Sequence, residues 1–264
     1  MSWRFALRPK WLVRHVLVVV LCGVMIALGM WQLRRLDEKR AYRDLVTAQQ
    51  EMPAADVEVM VPAGADEQAV EQVLYRTVTA TGTYVVEDTV VVQNRTLAGA
   101  SGAWVLTPLR FADGAAVVVN RGFVGYDRDG EIVPPSAPSG RVHVEGLVFP
   151  SQRRGRIGPT DPADGKLAVL ARVDIDRLAA QVDYPVLPAY VQLVESDPPE
   201  PATSADAPAV VALGAPELDL GPHLAYAVQW AIFTIIAGVG YLLLLRRVAS
   251  EQAQEERLDA LQPS

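Results

Sequence analysis

Residues 221–238 read GPHLAYAVQWAIFTIIAG, an apolar run whose first turns carry a histidine, a tyrosine, a glutamine and a tryptophan. The run continues without a charged residue from Leu224 to Leu245. An α-helix needs about 20 apolar residues to cross the ~30 Å hydrocarbon core of a bilayer. This stretch therefore predicts a transmembrane helix that begins with polar and aromatic side chains.

A second apolar run near the N-terminus predicts a first transmembrane helix over residues 12–33. Basic residues precede this run, and Arg246 and Arg247 directly follow the C-terminal one. Because basic residues stay on the cytoplasmic side, both termini are predicted to be cytoplasmic and the intervening chain extracytoplasmic. The small-x-small sequence Ala27-Leu28-Gly29 leaves open the alternative that the first run is a cleaved signal peptide.

The chain between the two runs has the composition of β-strands. Residues 77–95 are rich in Val and Thr and are predicted to break at Gly82 and at residues 87–88, and Ala112-Asp113-Gly114 predicts a hairpin turn. Short helices are predicted at Asp66–Leu74 and Asp174–Val182, where the aspartates can cap the first turn.

These patterns predict a membrane protein in which two transmembrane α-helices flank a β-dominated (α+β) extracytoplasmic domain. Residues 197–222 are rich in Pro, Ala and Asp and are predicted to be a semi-extended linker. The predicted segments are a cytoplasmic N-terminus (1–11), helix 1 (12–33), the domain (34–196), the linker (197–222), helix 2 (223–245) and a cytoplasmic tail (246–264).

Composition and motifs narrow the class of function. A net charge of −7 argues against a nucleic-acid binder, and a single cysteine, Cys22, excludes an internal disulfide and a CxxC pair. The domain's one histidine, His143, lies in an alternating strand where a solvated side chain is the expected role. The chain is predicted not to be an enzyme, although a membrane-tethered hydrolase using His143 or a domain carboxylate remains an alternative.

The helical wheel of the C-terminal run separates two faces. At about 100° per residue, one arc of about 80° holds a histidine and four aromatic residues, and aliphatic residues lie opposite. Such segregation indicates a protein or cofactor partner, whereas the alternative is that the aromatics form an interfacial belt. The residues of the arc are His223, Tyr226, Trp230, Phe233, Ala237 and Tyr241, with Gln229 and Gly240 at its edge.

A neutral imidazole at the outer edge of a bilayer can ligate haem iron, so His223 is a candidate iron ligand with Tyr226 and Trp230 packing along the ring. His15 lies at the inner end of the first run, about one hydrocarbon thickness away, and cannot ligate the same iron. Arg34 and Arg35 are candidates for contacts with haem propionates, although snorkelling to lipid phosphate is the alternative role.

Four motifs, in order and in spacing, resemble the Surfeit locus protein 1 family of cytochrome c oxidase assembly factors. They are LGMWQLRRLDEK (28–39), TPLRFADGAAVVVNRGFV (107–124), YPVLPAYVQL (184–193) and HLAYAVQW (223–230). The resemblance implies a non-enzymatic protein of the plasma membrane that binds haem a transiently and passes it to the oxidase's catalytic subunit. Haem A synthase is a further candidate partner, and membrane lipid surrounds the helices.

The resemblance also implies a set of site residues. Its haem-linked histidine falls on His223, and the cofactor-binding positions implied or suggested by the helix face are Tyr226, Gln229, Trp230, Trp31 and Gln32. Arg121 and Arg35 are candidate partner contacts, with a structural salt link the alternative for Arg121. The alternative function is a scaffold that stabilises an oxidase assembly intermediate without binding haem.

Overall fold

The computed structural model of the protein describes residues 4–127, 130–156, 158–202 and 209–259. The chain forms two compact units, one from Met1–Asp44 with Leu218–Ser264 and the other from Leu45–Glu217. The helices are α1 (Pro9–Gln50), α2 (Val57–Met60), α3 (Glu67–Gln72), α4 (Ile175–Ala179) and α5 (His223–Asp259). The strands are β1 (Ala55–Asp56), β2 (Thr77–Tyr84), β3 (Val90–Leu97), β4 (Ala100–Arg110), β5 (Ala116–Gly125), β6 (Val142–Pro150), β7 (Val169–Leu170) and β8 (Val186–Asp197).

The two long helices, α1 and α5, have 42 and 37 residues. Each is long and apolar enough to cross a membrane, and almost none of its most apolar stretch is buried within the protein. Both extend beyond the apolar segments 12–33 and 223–245, because the charged residues that follow are good helix formers. Ion pairs one turn apart support these extensions, as between Arg35 and Glu38 (2.6 Å) and between Arg247 and Glu251 (2.9 Å).

The second unit is built on a closed sheet. The strands follow the order β1-β2-β6-β8-β5-β4-β3-β7, and β2 also pairs with β4 through Thr83 and Tyr84. The five strands β2, β6, β8, β5 and β4 therefore close on themselves as a small barrel. The prediction of a sheet-rich domain is confirmed, and the pairing of β2 with β4 closes the five-strand ring, with β1 added outside β2, and β3 and β7 outside β4.

Gly82 corrects one detail of the sequence prediction. The strand is not broken there, since β2 runs through Gly82 to Tyr84. A Cβ atom at Gly82 would overlap the backbone carbonyl of Arg110 on β4. The glycine thus permits the close approach of two strands that completes the barrel. The predicted second break is present, as a 3₁₀ turn over Val86–Asp88.

Capping and turn residues in the sequence correctly predicted where the short helices begin and where the hairpin turns. The side chain of Asp66 accepts a hydrogen bond from the amide of Ala69 (2.8 Å), and that of Asp174 accepts one from the amide of Arg177 (2.9 Å). Each aspartate is the N-cap of its helix, α3 or α4. The predicted hairpin turn lies between β4 and β5, with Gly114 at φ 96°. These features depend only on neighbouring residues, which is why the sequence revealed them.

Alternate residues of the barrel strands point inward and form the largest buried cluster. Each fully buried aliphatic side chain contributes about 1.5–3 kcal/mol relative to an exposed one. Members include Val78, Ala80, Tyr84, Leu109, Val117, Val119, Val142, Val144, Val148, Leu187, Ala189, Val191 and Leu193. A second cluster, on the outer face of the sheet, packs under α4 and includes Ile175 and Leu178.

The segment predicted as a semi-extended linker, residues 197–222, is docked on the barrel unit in residues 198–202 and 209–217, which we call the strap. Val211 exchanges two backbone hydrogen bonds with Phe123 of β5, both 2.8 Å. The side chain of Gln192 donates a hydrogen bond to the carbonyl of Gly214 (2.8 Å). A Pro- and Ala-rich chain cannot fold alone, but the barrel supplies the partners that its backbone needs.

Candidate functional site

The first unit is a pair of antiparallel helices, α1 and α5, that share one seam. Along each helix the less exposed residues recur at alternating spacings of four and three, a heptad pattern that keeps one stripe facing a partner helix. Gly29 of α1 lies opposite α5, where a Cβ atom would meet Cβ of Trp230 at 3.5 Å. The seam residues are Trp11, His15, Val18, Cys22, Met25, Gly29 and Gln32 on α1, and His223, Ala227, Trp230, Thr234, Ala237 and Tyr241 on α5.

His223 is the first residue of α5 and lies at one end of the seam. Its Nδ1–H donates a hydrogen bond of 2.8 Å to Oε1 of Gln32 on α1. With the proton on Nδ1, the lone pair of a neutral imidazole is on Nε2. Within the described part of the chain, Nε2 makes no hydrogen bond. The structure thus joins two of the predicted site residues and leaves one imidazole nitrogen available as a donor to a metal.

The predicted arc of α5 is divided between the seam and the outer surface. Trp230 and Tyr241 are half-buried in the seam, whereas Tyr226 and Phe233 are 47% and 42% exposed on one flank of it. Trp230 and Phe233 meet edge to face with ring centroids 6.1 Å apart. We call Tyr226, Trp230 and Phe233 the aromatic flank. It lies within the first three turns after His223.

Other predicted residues of the helix pair are at the surface. Trp31 is 48% exposed although the adjacent Gln32 faces the seam, so the two members of the Trp-Gln motif point in different directions. Gln229 is also exposed. Arg34 and Arg35 are exposed, and Arg35 pairs with Glu38 of its own helix.

A second polar contact closes the opposite end of the seam. The hydroxyl of Tyr241 donates to Nδ1 of His15 (2.7 Å), and Nε2–H of His15 donates to the carbonyl of Ala6 (3.1 Å). Both imidazole nitrogens are therefore engaged within the protein. Sequence reasoning used His15 only to exclude a second ligand and missed this contact. The antiparallel register that brings residue 15 to 241 and residue 29 to 227 is set by the fold, so the sequence alone did not show this contact.

Arg121 is fully buried at one end of the barrel, following Val117 and Val119 on the inward face of β5. Its guanidinium donates to both carboxylate oxygens of Glu200 in the strap, with Nη2 to Oε2 at 2.6 Å and Nε to Oε1 at 3.0 Å. It also donates to the carbonyls of Pro135 and Ser136. The fold therefore contains the structural salt link that the sequence left open for Arg121.

Other polar side chains of the barrel unit make hydrogen bonds within the fold. His143 is exposed on β6, as predicted, and its Nδ1 lies 2.9 Å from the hydroxyl of Thr81. The hydroxyl of Tyr184 donates to the nearly buried carboxylate of Asp88 (2.8 Å), and burial raises the pKa of Tyr184. Among the described residues, no three histidine, cysteine or carboxylate side chains group as a metal site.

Comparison with known proteins identifies the chain's family. The model of the SURF1 family matches residues 19–235, which include both ends of the barrel unit and His223. An uncharacterized SURF1-like protein of Mycobacterium tuberculosis is 28% identical over 244 residues, covering 89% of this chain and 83% of the mycobacterial protein. A SURF1-like protein of Rickettsia felis is 22% identical over 242 residues, covering 89% of this chain and 98% of the rickettsial one. Because the matched region spans most of the sequence, the chain belongs to the SURF1 family.

Proposed function

We propose that this chain, as a member of a family of oxidase assembly factors, binds haem a at His223 and delivers it to the catalytic subunit of cytochrome c oxidase. The proposal places α1 and α5 across the plasma membrane, both termini in the cytoplasm and the barrel unit outside. Two apolar helices and the basic residues at the chain's ends support this placement. Haem A synthase is the proposed donor of the haem.

The observation that carries the proposal is the state of the His223 imidazole. Nδ1–H is held by Gln32, and the Nε2 lone pair has no hydrogen-bond donor among the described residues. Haem, when bound, contributes an iron that accepts an axial nitrogen and a flat apolar ring. A neutral imidazole whose other nitrogen is oriented by a hydrogen bond is a common donor to such an iron, and it is the arrangement of His223.

The aromatic flank supports the same site. Tyr226 lies about one turn after the histidine and Phe233 almost three turns after it, and both expose their rings on a surface that in a bilayer meets lipid rather than water. Flat aromatic side chains pack well against a macrocycle, and the apolar surroundings exclude the water that would compete for the iron. In the proposal, the flank shelters the ring while Nε2 of His223 holds the metal.

The site suits transfer better than permanent storage. The helix pair offers a single free imidazole nitrogen in its described part, since both nitrogens of His15 are bonded within the protein. One axial ligand binds haem more weakly than two. Delivery requires that the acceptor bind more tightly than the carrier, so a loosely held haem is what the proposed function needs.

A second candidate function is a scaffold that stabilises an oxidase intermediate without haem. The same hydrogen bond favours it, because the contact between His223 and Gln32 also links α1 to α5 and gives the histidine a structural role. The two functions differ in one respect. Only the first uses Nε2 of His223.

The experiment that tests the proposal is the visible absorption spectrum of the full-length protein purified in detergent from cells that make haem A. Three proteins are compared: the wild type, His223→Ala, and Tyr241→Phe, which removes the hydrogen bond between α1 and α5 at the opposite end of the seam. We expect Soret and alpha bands in the wild type and in Tyr241→Phe, and their loss or shift in His223→Ala. A colourless wild type, or identical haem in all three, refutes haem ligation by His223 and leaves the scaffold function.

A further inference from the structure

We propose that Gln32 is a positioning residue for His223: it fixes the proton on Nδ1, and so presents the Nε2 lone pair to an incoming metal. This inference rests on the proposed function, because it concerns how His223 would hold haem. It assigns Gln32 a role behind the metal ligand, one hydrogen bond away from the His223 imidazole. Gln32 orients the ligand and does not itself contact the iron.

The two residues of this hydrogen bond differ in how firmly their helices hold them. His223 begins α5, where helical constraint is present on one side only, whereas Gln32 lies inside α1 with many helical turns on either side. Gln32 is therefore on the more rigid element. A hydrogen bond of 2.8 Å from Nδ1–H to its Oε1 holds the plane of the half-buried imidazole relative to the seam.

The tautomer follows from the acceptor. A neutral imidazole carries one proton that can lie on either nitrogen, and an acceptor at one nitrogen holds the proton there. An amide oxygen accepts and cannot donate, so the proton stays on Nδ1. The acceptor also makes Nε2 a stronger donor to a metal, as carboxylates and carbonyls do behind other metal-bound histidines.

The second histidine of the helix pair shows what happens without such an acceptor at Nδ1. In His15, Nδ1 accepts from the hydroxyl of Tyr241, and Nε2–H donates to the carbonyl of Ala6. This is the opposite tautomer, and neither nitrogen has a free lone pair. Two histidines in one seam thus differ in their capacity to bind a metal because the acceptors that fix their protons differ: the amide oxygen of Gln32 holds the proton of His223 on Nδ1, and the carbonyl of Ala6 holds that of His15 on Nε2.

The test uses haem a titrated into the full-length protein in detergent, with Gln32→Glu, Gln32→Met and Tyr241→Phe beside the wild type. Glutamate keeps the contact and is a stronger acceptor, whereas methionine has similar length and removes the acceptor. Tyr241→Phe is the matched control, since it also removes one interhelical hydrogen bond but leaves His223 untouched. The readouts are the dissociation constant and the iron–histidine stretching frequency of the ferrous protein by resonance Raman spectroscopy.

We expect Gln32→Glu to raise the stretching frequency and Gln32→Met to lower it, with a loss of affinity of about 10-fold to 100-fold in Gln32→Met. Tyr241→Phe should match the wild type in both readouts. Unchanged frequency and affinity in both Gln32 variants, with haem still bound through His223, would overturn the positioning role alone. If the wild type takes up no haem, or if His223→Ala keeps it unchanged, the proposed function fails and the inference fails with it.

Discussion

Removing the carboxylate of Glu200 should release the strap and destabilise the barrel unit. Arg121 is 1% exposed and Glu200 16% exposed, and the two side chains share three hydrogen bonds of 2.6 to 3.1 Å. In Glu200→Ala the guanidinium keeps the carbonyls of Pro135 and Ser136 but loses the opposite charge. An uncompensated buried cation costs about 3–5 kcal/mol, so we expect a loss of that size in the free energy of unfolding.

The assay is urea denaturation of the full-length protein in detergent, combined with hydrogen exchange of the Val211 and Phe123 amides. These two amides form the backbone bridge between the strap and β5, and they should exchange faster in Glu200→Ala. The matched control is Glu195→Ala, which changes an exposed glutamate at the end of β8 and should alter stability by less than about 0.5 kcal/mol.

A double substitution separates the charge from the packing. Replacing Arg121 by leucine in the Glu200→Ala background removes the buried cation, and apolar replacement of a whole ion pair is often neutral or stabilising. We expect the double variant to be more stable than Glu200→Ala. A loss below about 1 kcal/mol in Glu200→Ala, with both bridge amides still protected, would refute the assignment of this pair as the strap's anchor.

Two further predictions concern the helix pair and the pH dependence of the barrel. Tyr241→Phe removes the hydrogen bond to His15 and should weaken the association of α1 with α5 by about 0.6–2 kcal/mol. The measurement is the energy transfer between labels on the ends of the two helices as the detergent concentration is varied. An energy-transfer curve equal to that of the wild type would contradict the contact. Burial raises the pKa of Tyr190 to about 12 from 10.0, so the unfolded chain loses this proton first as the pH rises. The contribution of the protonated Tyr190 to the free energy of unfolding is therefore complete below pH 10 and lost between about pH 10 and 12. In urea denaturation over this pH range, Tyr190→Phe should lose about 2 kcal/mol less stability than the wild type. Equal loss of stability with pH in the two proteins would contradict the prediction.

Sequence reasoning located the features whose causes are local. The N-caps Asp66 and Asp174 act on amides three residues away, and the alternation around His143 follows from the two-residue period of a strand. The apolar runs of α1 and α5 are likewise a property of consecutive residues. In all these cases the residues that decide the structure are only a few positions apart in the sequence.

Features that depend on distant pairing could not be read in the same way. A lone Gly82 in a Thr- and Val-rich stretch resembles a strand break, and only the approach of Arg110 on β4 shows why the strand continues. The strap is similar. Its Pro- and Ala-rich composition predicts a semi-extended linker, and the ion pair of Glu200 with the buried Arg121 is seen only in the fold. Long-range partners decided both outcomes.

The sequence predicted only part of the α5 face that meets α1, again because that face depends on a distant partner. The wheel grouped residues by polarity and aromatic character, whereas the seam follows side-chain size as well. Gly29 of α1 lies close to Ala227 and Trp230, so the seam runs through the small residue Ala227 and leaves Tyr226 and Phe233 outside. His223 was predicted as a site residue from the sequence, and that role stays a prediction. Gln32 entered through the family resemblance, and the contact between the two residues is seen only in the fold.

The seam also determines how strongly the two helices hold each other. In the proposed bilayer setting, lipid tails are as apolar as the seam, so closing α1 onto α5 gains little from the hydrophobic effect. What remains is close packing at small residues such as Gly29 and Ala227, and a polar contact at each end, through His223 and His15. Such contacts contribute about 0.6–2 kcal/mol each. The strength of this helix pair therefore depends on a few positions, namely the small residues in the middle of the seam and the polar contact at each end.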